Sequence, residues 1–552
     1  MASTVASHAS AVHDDLLRPD VAKIMSSDKI RNRRRESRTA AVNGGLVRNS
    51  SESSIESSGR ATPIPSDAPP SAKSISHARQ QLRASNKARI FPTVRYAPRV
   101  SHFDPRSEHR DFKGFFVLFW IGLAIMVITT GLRNIKDTGL PLRVRPWQLF
   151  TVKAWQLGLS DFAMVASTGL VVPMQKLFRS STGPLAWRNY GMSIHILFQT
   201  LWFALWINWP FMLRWTWTAQ VFLTLHTIVF LMKMHSYAFY NGHLGTTEWR
   251  LTSLNDPDSA SKHAAVRYPR TPLSPSKPSK EKSQEEKPDD DPIATLRDDL
   301  AVELTSPFGR VTYPENLTYY NFLDYMFCPT LCYELEYPRT DKFRPMEFFW
   351  KALAVFGCVF LMTIISEEYI VPVLTESALR LKFVPGLSDR ALIIAETISN
   401  LLFPFMITFL LVFLVIFEYV LGAFAEITCF ADRHFYADWW NSCDWLEFSR
   451  EWNIPVHNFL RRHIYSASLP YMPRAWSMAL TFIVSALLHE LIMGCITKKL
   501  RGYGFVAMML QGPIVMLQRS PLLRGKKLLN NICFWCSMVL GLSLECALYV
   551  LV

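Results

Sequence analysis

Residues 475–496 read AWSMALTFIVSALLHELIMGCI, an apolar run of membrane-spanning length broken by one ionisable pair, His489-Glu490. A helix needs about 20 apolar residues to cross hydrocarbon. Ionisable groups at that depth cost about 2 to 3 kcal/mol or more unless they are paired or face water. The pair therefore calls for a functional explanation, and the run itself sets the fold class.

The same pattern recurs along the chain. Residues 114–132, 162–177, 192–213, 219–232, 348–365, 401–430, 475–496, 505–517 and 532–552 are apolar runs, which predicts an all-α, polytopic membrane protein with about nine transmembrane helices. With 49% hydrophobic residues over 552 positions, several soluble domains are excluded by this clustering. Two polar regions interrupt it. Residues 1–110 are rich in Ser, Arg and Pro and predict a disordered cytosolic tail, followed by a membrane domain over 111–552. A second disordered linker is expected at about 251–300, around Thr271-Pro272-Leu273-Ser274-Pro275 and Asp289-Asp290-Asp291.

The net charge of +14 lies mostly in the tail and in loops beside the runs, so it speaks for membrane orientation and not for nucleic acid. Arg31, Arg33, Arg34 and Arg35 put the N-terminus in the cytosol; Arg143, Arg145, Lys498, Lys499 and Arg501 then fall on the opposite side. Nine cysteines do not make a secreted disulfide framework, and Cys533-Phe534-Trp535-Cys536 lacks a second ligand pair for zinc. The sequon Asn316-Leu317-Thr318 faces the cytosol on this topology.

Chemistry concentrates in two places. Trp445, Phe448 and Trp452 recur at helical spacing and predict an interfacial aromatic face, with Asp438, Asn441, Arg450, Asn453 and His457 close by. His489 reads as a structural donor, a relay element, a metal ligand or a general base. Metal binding is disfavoured because position 493 is Met493 and not a second histidine, and no other metal site is expected.

Taken with their neighbours, these residues carry a resemblance. Phe435-Tyr436-Ala437-Asp438-Trp439-Trp440-Asn441 is similar to the FYxDWWN signature of the sterol and diacylglycerol branch of the membrane-bound O-acyltransferases. Pro329-Thr330-Leu331-Cys332-Tyr333-Glu334 with Tyr337-Pro338-Arg339, then Trp452-Asn453-Ile454-Pro455-Val456-His457, then His489-Glu490-Leu491 stand in the family's order. The resemblance implies a multi-pass enzyme of the endoplasmic reticulum with a buried catalytic chamber, assembling as a dimer or tetramer. It implies His489 as the base that takes the proton of a lipid hydroxyl, and Asn453 as the second active-site residue. Fatty acyl-CoA is then a co-substrate, with no further cofactor. A neutral imidazole has a reference pKa of about 6.5 and accepts protons near neutrality.

By the same resemblance Tyr436, Asp438, Trp439, Trp440, Asn441, Trp452 and His457 belong to substrate binding, with Arg450, Arg461 and Arg462 as partners for cofactor phosphates. Lys233-Met234-His235-Ser236-Tyr237-Ala238-Phe239 is similar to the KMHS segment of sterol O-acyltransferases, which makes His235 a substrate-binding residue and favours a sterol acceptor. The Ser-rich tail resembles that of fungal sterol acyltransferases, implying ergosterol or a related sterol. Transfer to diacylglycerol is the sister reading, and a non-catalytic lipid-binding or transport protein the reading from another class. Gln511-Gly512-Pro513 predicts a bend in a short span, and Glu545 should find a partner.

Overall fold

The apolar runs form helices, and no strand occurs among the described residues of the computed structural model, which are 94, 96–101, 113–140, 153–255 and 292–551 apart from 308, 522, 524 and 525. The tail arginines, Arg143, Arg145, Thr271 and Ser274 lie outside them. In chain order the helices are α1 (Lys113–Thr138), α2 (Ala154–Thr168), α3 (Val171–Ser180), α4 (Met192–Met212), α5 (Trp217–Asn255), α6 (Pro292–Leu304), α7 (Tyr319–Phe327) and α8 (Pro345–Ile365). They continue as α9 (Val371–Phe383), α10 (Leu387–Phe413), α11 (Leu421–Ile427), α12 (Trp445–Glu451), α13 (Ile454–Leu460), α14 (Arg474–Thr497), α15 (Tyr503–Gln518) and α16 (Lys527–Leu551).

Among the described residues eight helices are long and apolar enough to cross a bilayer, and α15 is a shorter apolar helix. All nine apolar runs thus correspond to helical segments, as the sequence predicts. Three extend well beyond their runs: Trp217–Leu254, Pro345–Phe383 and Leu387–Ile427 have 38, 39 and 41 residues. At 1.5 Å per residue these measure roughly 57 to 62 Å, about twice the hydrocarbon thickness. The extra length of α5 carries the KMHS segment, whose Lys233 and Ser236 are buried in protein. Helix α5 also runs past 251 to Asn255 and α6 begins at Pro292, inside the stretch predicted as linker.

Two of these long helices contain π-turns, at Ser366–Ile370 and Leu414–Val420, and a third π-turn, Arg461–Tyr465, follows α13. The extra residue in a π-turn re-aims side chains, and such turns recur at functional sites. Here they bury Glu367 and Glu418, and Arg462 with His463.

The compact unit runs from Phe91 to Val552, so it includes residues that the sequence reading assigns to the tail. Arg99 pairs with Asp432 in an isolated parallel bridge, donating Nε and Nη2 to its carboxylate at 2.8 and 2.7 Å. Val94 N–H donates to Glu334 at 2.9 Å, and Ser101 to Glu418. Helix α15 continues through Pro513 to Gln518.

Candidate active site

His489 sits two-thirds of the way along α14. Leu488, Leu491 and Ile492 form the packing stripe of that helix, against Ile228 and Met232 of α5 and Phe459 of α13. One residue on, His489 is turned about 100° away from Leu488 and is exposed, where the resemblance implies a buried chamber. Its Nδ1 lies 2.8 Å from the carbonyl oxygen of Ser485. A carbonyl only accepts, so Nδ1 carries the hydrogen and the neutral ring presents the Nε2 lone pair outward. That is the tautomer a general base needs.

Glu490 has a different task. Its carboxylate accepts the backbone N–H groups of Arg501, Gly502 and Phe505 at 3.1, 2.7 and 3.2 Å, and the Tyr549 hydroxyl at 2.6 Å. The first turn of α15 has unpaired donors and a positive dipole end, and a carboxylate satisfies both. Glu490 thereby ties α14 to α15 and α16. Glu545 packs against Gly504, where an added Cβ would stand 2.9 Å from its Oε1.

Asn453 caps α13: its Oδ1 accepts from Val456 N–H at 3.1 Å, with a proline in the first turn. The cap occupies the oxygen and leaves the Nδ2 amide as a donor. Ile454 N–H donates to Phe435 carbonyl at 3.0 Å and Ala437 N–H to Glu451 carbonyl at 2.9 Å, so the FYADWWN segment and the Asn453 segment are laced together. Val456, Phe459 and Leu460 share one apolar cluster with Leu488, Leu491 and Ile492, and the π-turn that follows α13 packs on α14, so the segments bearing Asn453 and His489 are joined through that cluster. His457, one turn after Asn453, is half-buried; burial first, then Arg450 and Arg461, hold its imidazole down at about 4.

Most of the FYADWWN segment is scaffold. Phe435, Tyr436 and Trp439 are buried. The Tyr436 hydroxyl lies 3.0 Å from Ser101 Oγ and 3.3 Å from Glu418 Oε2, and Glu418 pairs with Lys351 at 3.1 Å. The Tyr436 hydroxyl thus ties the FYADWWN segment into the scaffold. Trp439 packs among Phe413, Trp452 and Trp535 at 5.1, 4.8 and 5.6 Å, while Trp452 stacks on Phe409 at 4.5 Å. The Trp440 carbonyl accepts from Asn531 and Trp535. Asp438 and Asn441 are exposed, and Asn441 lines a polar cleft of about 910 Å³ with Cys443, Asp444, Arg519 and Lys527.

Two expectations are overturned here. The Trp445, Phe448 and Trp452 face points inward: Trp445 and Phe448 pack on Phe534 of α16 at 5.4 and 5.1 Å. Arg462 is buried and not poised for phosphate; it donates to Tyr333 carbonyl at 2.8 Å, pairs with Glu334 at 3.0 Å and covers the Tyr240 ring. Arg450 and Arg461 are exposed.

The KMHS segment acts as a bracket. Lys233 donates to the carbonyls of Tyr325 and Cys328 at 3.0 and 2.7 Å, capping the end of α7. Ser236 Oγ receives Tyr333 N–H at 2.8 Å and lies 2.9 Å from His463 Nε2. His235 is half-buried and bonded to Gln199. Gln199 and His195 escape the sequence reading, although two polar residues four apart in an apolar run are a readable signal. Asn316 is fully buried and donates to Asn241 at 2.7 Å, which removes it from glycosylation whatever side it faces. All nine cysteines are free, and no group of three or more His, Cys, Asp or Glu suited to a metal occurs among the described residues.

Comparison with known proteins agrees with this geometry. The family model described as MBOAT, membrane-bound O-acyltransferase family, matches residues 199–551. The chain is 39% identical over 475 residues to "Probable sterol O-acyltransferase 2" of Schizosaccharomyces pombe, covering 85% of this chain and 93% of the relative. It is 32% identical over 463 residues to "Sterol O-acyltransferase 2" of Candida albicans, covering 80% and 75%. The similarity to "Diacylglycerol O-acyltransferase 1" of Dictyostelium discoideum, at 34% identity, extends over 44% of this chain and 38% of that one.

Proposed function

The chain belongs to the membrane-bound O-acyltransferase family, and we propose from that premise that it transfers a long-chain fatty acyl group from acyl-CoA to the hydroxyl of a sterol. The observation that carries the reading is the near full-length likeness to sterol O-acyltransferases, joined to an intact His489 with its Nε2 lone pair outward. The diacylglycerol relative matches less than half of the chain, which supports the sterol reading.

His489 Nε2 takes the hydroxyl proton as the sterol oxygen attacks the thioester carbon. The carbonyl oxygen gains negative charge, and the Asn453 amide donates to it without adding a charge to an apolar site. The C–S bond then breaks, the ester carbonyl re-forms, and the sulfur leaves with the proton returned by the imidazolium. A positioned base contributes about 10² to 10⁴ in rate, and one oxyanion donor about 10² to 10³. The enzyme acts in the endoplasmic reticulum membrane with its N-terminus in the cytosol, as a dimer or tetramer, and ergosterol or a related sterol is its acceptor. Asn441 and the polar cleft it lines are the part of the FYADWWN segment open to acyl-CoA.

The test is acyl transfer by the purified protein in nanodiscs, with labelled oleoyl-CoA and ergosterol, cholesterol or diacylglycerol. Sterol ester is the expected product, reduced at least 100-fold by His489→Ala with folding unchanged. Triacylglycerol as the main product would replace the sterol reading with its sister, and full turnover by His489→Ala would remove the proposed base.

A further inference from the structure

The histidine of the KMHS segment has an acceptor atom that the protein leaves open. His235 lies on the stripe of α5 made with Ile228 and Met232, at i, i+4 and i+7, and those two residues pack against Leu488, Leu491 and Ile492 around His489. Its Nδ1 is 3.1 Å from Gln199 Oε1. An amide oxygen only accepts, so Nδ1 holds the hydrogen and Nε2 the lone pair. The other end of Gln199 is fixed as well, its Nε2 donating to His195 Nε2 at 2.7 Å. His195 is fully buried, with Nδ1 sealed and without a partner, a cost the fold tolerates at the far end of this line.

His235 Nε2 has no partner among the described residues, yet it is not one of the sealed polar atoms. Its surroundings are aromatic: Phe239 stacks on the ring at 4.1 Å, and Phe459 and His463 stand at 6.0 and 5.1 Å. One accessible lone pair among aromatic walls suits an alcohol carried on an otherwise apolar frame. It does not suit the matching ketone, which brings lone pairs alone.

We propose that His235 Nε2 receives the hydroxyl hydrogen of the acyl acceptor before it reaches His489, and that Gln199 and His195 are positioning residues that keep His235 in the accepting tautomer. This rests on the sterol reading above. Because His489 takes the same hydrogen in the reaction, the His235 contact belongs to binding and precedes catalysis.

The test is equilibrium binding of labelled ergosterol to the full chain in nanodiscs, in a His489→Ala background that removes both turnover and the catalytic imidazole. Unlabelled ergosterol and its 3-ketone compete. A preference of roughly fivefold for the alcohol is expected, the equivalent of about 1 kcal/mol for one hydrogen bond. Adding His235→Phe should abolish the preference, and adding Gln199→Leu should weaken it. His235→Gln, whose amide also donates, should raise ketone binding relative to alcohol, a gain that misfolding does not produce. A ratio unchanged by His235→Phe and His235→Gln overturns the proposal. Ester formation by the otherwise wild-type chain is scored separately: no ester from any sterol sinks the sterol reading, whereas normal ester with unchanged binding ratios sinks the role of His235 alone.

Discussion

Replacing Glu334 by Gln keeps the shape of the side chain and one accepting oxygen while deleting its charge. Glu334 and Arg462 are 5% and 3% exposed and stand 3.0 Å apart. At an effective dielectric near 20, that separation corresponds to about 5 kcal/mol of attraction. Removing one partner of a buried pair is observed to cost about 3 to 5 kcal/mol, because the remaining charge stays in a poor solvent. With unfolding entropy near 2 cal/mol/K per residue, a unit the size of Phe91–Val552 shifts its midpoint by roughly 1 °C per kcal/mol. Glu334→Gln should therefore melt about 3 to 5 °C lower, read as monodisperse protein surviving a heating series on a sizing column. The double variant Glu334→Leu/Arg462→Met, which removes both charges but also the partners of Val94 N–H and the Tyr333 carbonyl, should melt no lower than the single variant. A single variant indistinguishable from wild type, or a double variant worse than the single, would refute the account of this pair.

Three further outcomes are expected. Asn453→Asp keeps the cap on α13 but replaces the donor by an acceptor, so thermal stability should hold while turnover falls at least 100-fold; unimpaired turnover would remove Asn453 from the oxyanion. A Cβ added at Gly242 falls inside the Trp187 indole, so Gly242→Ala should cost about 2 to 3 kcal/mol of stability, and adding Trp187→Leu should return part of it. His457 is held at about 4 against its ordinary 6.5, so between those values the unfolded chain binds a proton that the folded chain does not. Its contribution to stability is full above about pH 6.5 and is lost as the pH falls toward 4; His457→Asn should flatten that limb, and superimposable pH curves would contradict the assignment.

The helical plan is legible because lipid-facing stretches must be apolar and must close their own hydrogen bonds. The ends are not. Helix α5 continues past Met232 through Lys233, Ser236 and Asn241, whose polar atoms are satisfied by α7 and its flanking segments, and a hydropathy reading stops where those residues begin. Spacing places Trp445, Phe448 and Trp452 on one face, but a stripe does not say what it meets, and here it meets α10 and α16. Arg462 reads as a surface cation beside Arg461; the carboxylate that neutralises it lies 128 residues away in the chain. His489 stands out as an ionisable residue in an apolar run, whereas its tautomer depends on where the Ser485 carbonyl falls.

The stitches from Val94 to Ser101 sew the lead-in before α1 onto segments far along the chain. Their anchors are Glu334, Asp432 and Glu418. The first of these holds Arg462, one residue after the arginine that flanks His457, and the last holds Tyr436 of the FYADWWN segment. Residues 94–101 thus brace, through Glu334 and Glu418, the segments that carry Arg462 and Tyr436, and a truncation that removed them would take away both braces.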